Sequence, residues 1–211
     1  MTRIINQIAV LSLILFAVAC ATSTKPVETQ SAKTKPAAAA EPSDSQKAYQ
    51  RGLAYLERGE AEKALALFKE LASSGRAQAE VYNAIGVAYR KQGLLDKAVE
   101  AYTNALKLKD RYVEAHYNLG IVYREKGQFQ KAESEYQEAI TLDPKFAQAH
   151  HNLAVLYDLY LNRPREALKH FKEYKQLTGG SETLDVWIVD LERRVQGSAA
   201  PGVVQSKGGA N

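Results

Sequence analysis

One motif returns every 34 residues in this chain. Tyr82-Asn83-Ala84-Ile85-Gly86-Val87-Ala88-Tyr89 is followed by His116-Tyr117-Asn118-Leu119-Gly120-Ile121-Val122-Tyr123, so Gly86 and Gly120 stand 34 apart, as do Tyr89 and Tyr123. The same step back from Gly86 reaches Gly52, with Tyr55 three residues on, and the same step forward from Gly120 reaches Ala154, with Tyr157 three residues on. A fixed period of this length restricts the chain to a stack of like helical units. In such a stack each unit packs only on its neighbours, and the extended surface that results serves binding more than chemistry.

The second half of each unit repeats too. Ala98, Tyr102 and Ala105 lie at i, i+4, i+7; Ala132, Tyr136 and Ala139 repeat the pattern, and Ala64, Phe68 and Leu71 precede it. That spacing sets a small–aromatic–small stripe on one helix face. Gly59, Gly93 and Gly127 fall between the halves, where a tight turn is needed. Asp143-Pro144 closes the unit that begins at Val113, because proline cannot continue a helix interior. Each unit therefore reads as helix, glycine turn, helix, and the fold class as all-α.

This pattern resembles the tetratricopeptide repeat (TPR) family. Residues 79–112 and 113–146 carry it in full, at Gly86 and Gly120, at the turn glycines, and at Ala98 and Ala132. Residues 45–78 carry it more loosely, with Arg51 where the later units have Ile85 and Leu119. In 147–178, Asn162-Arg163-Pro164 replaces the glycine turn, Ala167 comes one residue late, and Tyr174 stands in for Ala105 and Ala139. The resemblance implies a helix-turn-helix solenoid of about four units over residues 45–178. Atypical end units fit it, since each has one neighbour only. The tyrosines Tyr82, Tyr89, Tyr102, Tyr123, Tyr136 and Tyr157 all fall on repeat positions and read as core packing. A further helix over 181–196 follows, with Ser181 as its cap, Gly197 as its stop, and a stripe of Leu184, Trp187, Ile188, Leu191 and Val195 that reads as a cap on the last unit.

The N-terminus carries a second signal. Arg3 precedes an apolar run from Ile8 to Ala19, the form of a secretory signal peptide over residues 1–19. Cys20, the one cysteine of the chain, follows Ala17-Val18-Ala19, which resembles the lipobox of bacterial lipoproteins. That resemblance implies acylation and cleavage at Cys20. Several acyl chains anchor stably where one would not. Ordinary cleavage after Ala19 would leave a free thiol instead, and an uncleaved span would be short for a bilayer. Ala21 after Cys20 implies an outer-membrane lipoprotein facing the periplasm, or the cell membrane where the source has no outer membrane. Residues 20–44 are rich in Ser, Thr, Lys, Pro and Ala and read as a disordered tether reaching about 25–30 Å. Residues 197–211 read as a disordered tail.

Charge excludes one class of partner. The chain has 28 Lys+Arg against 24 Asp+Glu, a net charge of +4, too mild for a nucleic-acid binder. The histidines are His116, His150, His151 and His170. No spacing joins them to further metal ligands, and no HExxH, CxxC or phosphate-loop motif occurs. We therefore expect no enzyme, cofactor, metal or small-molecule substrate.

Function is then expected on the face lined by the first helices. In the family, the second, fifth, ninth, twelfth and thirteenth residues of each unit point into a concave groove. The groove candidates carried over are Tyr49, Leu53, Asn83, Val87, Arg90, Lys91, Tyr117, Ile121, Arg124, His151 and Val155, with Glu57, Glu80, Glu114, Glu125 and Asp158 among their companions. Leu53, Val87, Ile121 and Val155 make an apolar strip, and Arg90 and Arg124 a short basic ladder one layer apart. Such a groove suits an extended or helical protein segment with apolar anchors and acidic groups. Tyr49 and Leu53 stand where repeats that clamp a terminal carboxylate carry Lys and Asn. The whole layout resembles pilotins of type IV pili and related secretion machines, and also adaptors that dock cell-wall enzymes. The expectation is a membrane-anchored, non-catalytic scaffold with a protein partner.

Overall fold

The computed structural model describes residues 43–74 and 78–199. The expected signal peptide, Cys20, nearly all of the expected tether and most of the expected C-terminal tail lie outside them. Among the described residues there are nine helices and no strand: α1 Asp44–Glu57, α2 Ala61–Ser73, α3 Ala79–Lys91, α4 Leu95–Leu108, α5 Val113–Glu125, α6 Phe129–Leu142, α7 Ala147–Leu159, α8 Pro164–Thr178 and α9 Glu182–Ala199. The expected unit starts at 79, 113 and 147 are the first residues of α3, α5 and α7.

The first start moves by one. Ser43 is the N-cap of α1, its Oγ accepting the amide N–H of Gln46 at 3.2 Å, so Asp44 is helical rather than the end of a tether. Gly59, Gly93 and Gly127 sit at φ of +77°, +73° and +70°, the left-handed conformation that glycine adopts without strain. In the fourth unit Asn162 takes that conformation at φ 51°, and asparagine is the side chain that tolerates it best. Pro164 follows at the first turn of α8, where its missing N–H costs nothing. The turn is one residue longer than the others, which is why Ala167 comes late. At the far end, α9 does not stop at Gly197 but runs to Ala199. A single helical glycine costs only about 1 kcal/mol relative to alanine, too little to end a helix whose apolar stripe is already packed.

The core is a ring set against an absent side chain. Phe68, Tyr102 and Tyr136 are fully buried, and each faces the glycine of the preceding helix. A Cβ on Gly86 would lie 2.5 Å from the Tyr102 ring, and one on Gly120 would lie 2.7 Å from Tyr136. Burying such a ring contributes about 1.5–3 kcal/mol. The flanking Ala64, Ala98, Ala105, Ala132 and Ala139 are wholly buried. Burial holds the Tyr136 hydroxyl up at about 12 and raises that of Tyr102 further. Tyr55, Tyr89 and Tyr123 are only half-buried and carry a cation over the ring, Lys63, Lys97 and Lys131 in turn; the buried Tyr157 has Arg163 over its ring.

The layers curve for the same reason. Cα atoms of α1 and α3, of α3 and α5, and of α5 and α7 approach within 8 Å, whereas no two of α2, α4, α6 and α8 do so. The first helices therefore line the inner, concave side of the stack. α9 packs on α8 and buries Leu184, Ile188 and Leu191, so it caps the fourth unit as expected. Glu133, by its place in α6 a plain outer-face residue, is a hub instead. It accepts from the Tyr157 hydroxyl at 2.8 Å and from Arg163 Nη1 at 2.8 Å, tying α6 to α7 and to the long turn.

Two histidines at equivalent positions have different partners. His116 Nδ1 lies 2.7 Å from Glu135 Oε2, and its Nε2 lies 3.0 Å from the carbonyl of Asp110. One unit on, His150 Nδ1 lies 3.0 Å from His170 Nδ1, and its Nε2 lies 3.1 Å from the carbonyl of Pro144. The extra turn residue puts His170 where Glu135 stands. Burial alone would lower the His116 pKa, but Glu135 and the Asp110 carbonyl outweigh it and the pKa is raised. His170 is lowered to about 4, by burial first and by His150 second.

Two outcomes are expected. Gly120→Leu drives a side chain into the Tyr136 ring and costs about 1–3 kcal/mol or more in denaturant melts, while Ser134→Leu on the exposed face of α6 costs little. The histidine pairs act with opposite sign on pH. The folded His170 refuses a proton that the unfolded chain accepts, so stability falls as pH drops from about 6.5 to about 4, by about 1–2 kcal/mol after discounting for solvent screening. The His116 contribution is complete below its unfolded value and fades as pH rises through its raised folded value. Melts at pH 7 and pH 5 check this: His170→Phe should flatten the acid-side fall, and His116→Phe should not.

Candidate partner-binding groove

The four first helices bring Tyr49, Asn83, Tyr117 and His151, each the fifth residue of its unit, to the same register on successive layers. All four are half-buried. Their anchoring is polar and runs between layers. Asn118 Nδ2 donates to Asn83 Oδ1 at 3.0 Å, and Asn152 Nδ2 donates to the Tyr117 hydroxyl at 3.0 Å. Asn118 and Asn152 were not among the sequence candidates, since they occupy the sixth position of their units. The signal that could have found them is the spacing: both bonds join residues 35 apart.

The same offset joins Arg90 to Glu125, whose side chains meet at 2.8 Å. The expected basic ladder is thus an ion pair on one rung. On the other, Arg124 is half-buried beside the hydroxyls of Tyr136 and Tyr160. Lys91 remains exposed. The charge presented to a partner is milder than two stacked arginines would give. Burial, set against the Asn152 hydrogen bond, raises the Tyr117 pKa, so the phenol stays neutral in the groove.

The apolar strip divides. Leu53, Val87 and Val155 are half-buried and keep some surface. Ile121 is 9% exposed and belongs to the core with Tyr136 and Leu153. It holds the layers together more than it offers an anchor. At the C-terminal end the groove meets an aromatic cluster. The His151 ring lies 5.0 Å from Tyr174, 5.9 Å from Phe171 and 6.5 Å from Trp187, centroid to centroid. Asp158, the groove residue of the last layer, is held by Arg194 of α9 at 2.6 Å. At the N-terminal end, a cleft of about 680 Å³ includes Tyr49 and Glu80. A smaller one of about 330 Å³ lies off the groove, between α2 and α4.

Among the described residues no group of three or more His, Cys, Asp or Glu side chains is placed to hold a metal ion. No helix of that set is long and apolar enough to cross a membrane. The arrangement is an open, mixed surface with hydrogen-bonding amides and aromatic edges.

Tetratricopeptide repeat profiles match residues 48–74, 83–147 and 135–169. The chain belongs to the tetratricopeptide repeat family. Solved structures of the family share its fold. A structure described as functional characterization of pilF of Pseudomonas aeruginosa superposes with a TM-score of 0.65 at 23% identity, over 72% of this chain and 69% of that one. A thermophilic TPR protein of Thermus thermophilus gives 0.61 at 24% identity, over 72% and 84%. The first TPR of Spaghetti (RPAP3), bound to an HSP90 peptide, gives 0.53 at 21% identity, over 56% and 94%. At these identities the likeness establishes the fold. No curated protein matches the chain.

For this TPR protein, Ile121→Asp is expected to act on stability first. It buries a carboxylate in the core of the third and fourth units and costs about 3 kcal/mol or more. Lys91→Glu, on the exposed edge of the same face, leaves the melt within about 0.5 kcal/mol. Thermal melts followed by helical CD separate the two.

Proposed function

We propose that this protein is a membrane-anchored, non-catalytic scaffold that holds a segment of a protein partner along the concave face of its repeats. The observation that carries the reading is the row of half-buried Tyr49, Asn83, Tyr117 and His151, in which Asn118 fixes Asn83 and Asn152 fixes Tyr117 from the next layer. Amides and phenols held in place this way can hydrogen-bond a peptide backbone without first being ordered, which lowers the entropic cost of binding. Leu53, Val87 and Val155 beside them accept apolar side chains, and the aromatic cluster of His151, Tyr174 and Trp187 closes one end. The partner segment is extended or helical, with apolar anchors, and needs few charges because Arg90 is already paired with Glu125. The RPAP3 repeat domain bound to an HSP90 peptide shows that this fold can take a peptide.

The anchor rests on the sequence alone. The lipobox-like run before Cys20 supports a lipid anchor on a membrane, by our reading the outer membrane with the repeats in the periplasm. An assembly-factor role of the pilotin type is the narrower form of the same proposal. It draws on the layout of lipobox, tether and repeats.

One experiment with two arms tests it. A photo-crosslinking residue is placed at Lys91 in the groove and, separately, at Ser134 on the outer face, and membranes are irradiated. A discrete adduct from position 91 that is absent from position 134 is the expected result; an adduct from position 134 alone would put the interface elsewhere. In the same membranes Cys20→Ser should leave the chain unprocessed and without acyl mass. Normal processing of that variant would remove the anchor from the proposal while leaving the groove untouched.

A further inference from the structure

The last helix has an outer face that nothing covers among the described residues. α9 buries Leu184, Ile188 and Leu191 toward α8, the one helix whose Cα atoms approach it within 8 Å. On the other side Val186 is 62% exposed and Val189 44%, with Trp187 at their rim at 46%. Glu182, Val186, Val189 and Arg193 follow one another at steps of four, three and four residues. Steps of this kind make one stripe along a helix, and they are the spacing of a coiled-coil seam. The stripe is apolar in the middle and oppositely charged at its two ends. The ion pairs of α9 go elsewhere: Asp185 to Lys175, Glu192 to Lys172, and Arg194 to Asp158 and Asp190. Glu182 and Arg193 are exposed, and neither has an ion-pair partner among the described residues.

We propose that this stripe pairs, antiparallel, with the same stripe on a second copy of the chain. The order of the residues makes it self-complementary. A twofold axis midway between Val186 and Val189 sets Val186 against Val189 of the partner subunit. It sets Glu182 against Arg193 of the partner subunit, and the symmetric contact repeats both. A parallel pairing would set each charged residue on its own copy, which repels. Asp185 faces Asp190 of the partner subunit at the flank, and each keeps its own cation, Lys175 and Arg194. The surface between the charges is a shallow cleft of about 440 Å³ whose lining includes Val186 and Val189, which gives a facing valine somewhere to go. An anionic membrane surface is disfavoured by Glu182, Asp185 and Asp190 around the same cleft. One helix per subunit is a small interface, so the association is weak, with a dissociation constant of about 10–100 µM.

The test is sedimentation equilibrium of the full chain in a density-matched non-ionic detergent, from about 5 to 500 µM on the scale of that expected affinity. Trp187, the one tryptophan of the chain, sits beside the seam and gives a second readout through its emission. The expected result is a monomer–dimer equilibrium with a blue shift of Trp187 emission as concentration rises. Glu182→Arg sets like charges at both ends and should weaken dimerisation about tenfold or more. Adding Arg193→Glu restores the complement and should return affinity to within about threefold of the original. Val186→Glu should leave a monomer. These positions are exposed, so helical CD stays unchanged, and rescue by the double variant excludes misfolding as the cause of the single one. The N-terminal segment is common to all variants and cancels from the comparison. A chain that is monomeric throughout overturns the proposal, as does a dimer indifferent to these changes or a stripe that pairs only with a different protein.

Discussion

The contact between a helix glycine and an aromatic ring on the next helix is the constraint on which everything else depends. Gly52, Gly86 and Gly120 let Phe68, Tyr102 and Tyr136 take the space where a Cβ would stand. The distance between the two helices of a unit is set there, and so is their tilt, because the ring has little room to shift. Once the pairs are fixed, the first helices can approach one another within 8 Å while the second helices stay apart. The concave face is a consequence of that asymmetry. A groove of polar and half-buried residues is what remains on the inner side when the small and aromatic residues have gone to the core.

The fourth unit shows how much a single residue can change without changing the fold. One extra residue in the turn is absorbed by Asn162, which accepts the left-handed conformation the glycines hold elsewhere. The stripe of α8 then starts one residue late, at Ala167, and still reaches Phe171 in the core. The shift carries His170 into the place of Glu135. A buried histidine that would have faced a carboxylate now faces another histidine. The packing is conserved and the electrostatics inverted, so the third and fourth units respond to pH in opposite directions within one domain.

The parts legible in the sequence are those that repeat inside a unit. The 34-residue period gives the helices, the turn glycines, the ring positions and the unit borders to within a residue. The Gly197 stop was misread because a glycine near the end of a packed helix looks the same in sequence as a glycine that ends one. Contacts between layers were not legible from that period. They run at 35, one unit plus one residue: Asn83 to Asn118, Arg90 to Glu125, Tyr117 to Asn152. That offset comes from how one layer is rotated on the next, which is a property of the packed stack. Hence Ile121, equivalent to Val87 by period, is in the core while Val87 is half-exposed. For the same reason Glu133 reaches out of its own unit to Tyr157 and Arg163.

The ends of a stack are where its sequence is free to differ, because each end helix has one neighbour to satisfy. α9 uses that freedom on both of its sides. Inward it supplies Leu184, Ile188 and Leu191, the apolar surface that a fifth unit would have supplied to the fourth. It also supplies Arg194, which holds Asp158 at the end of the groove. A cap whose only task was to end the stack would turn a polar face to water. The face of α9 is polar at its borders but carries Val186 and Val189 along its middle, with Trp187 at the rim, and a valine at such a position gains nothing from solvent. In a one-dimensional stack the end layer is also the first to open, since it is held on one side alone. Covering α9 would therefore stabilise the layer that needs it most. That layer also holds the His150–His170 pair and the aromatic end of the groove, so whatever covers α9 also steadies the residues that close the groove around a partner.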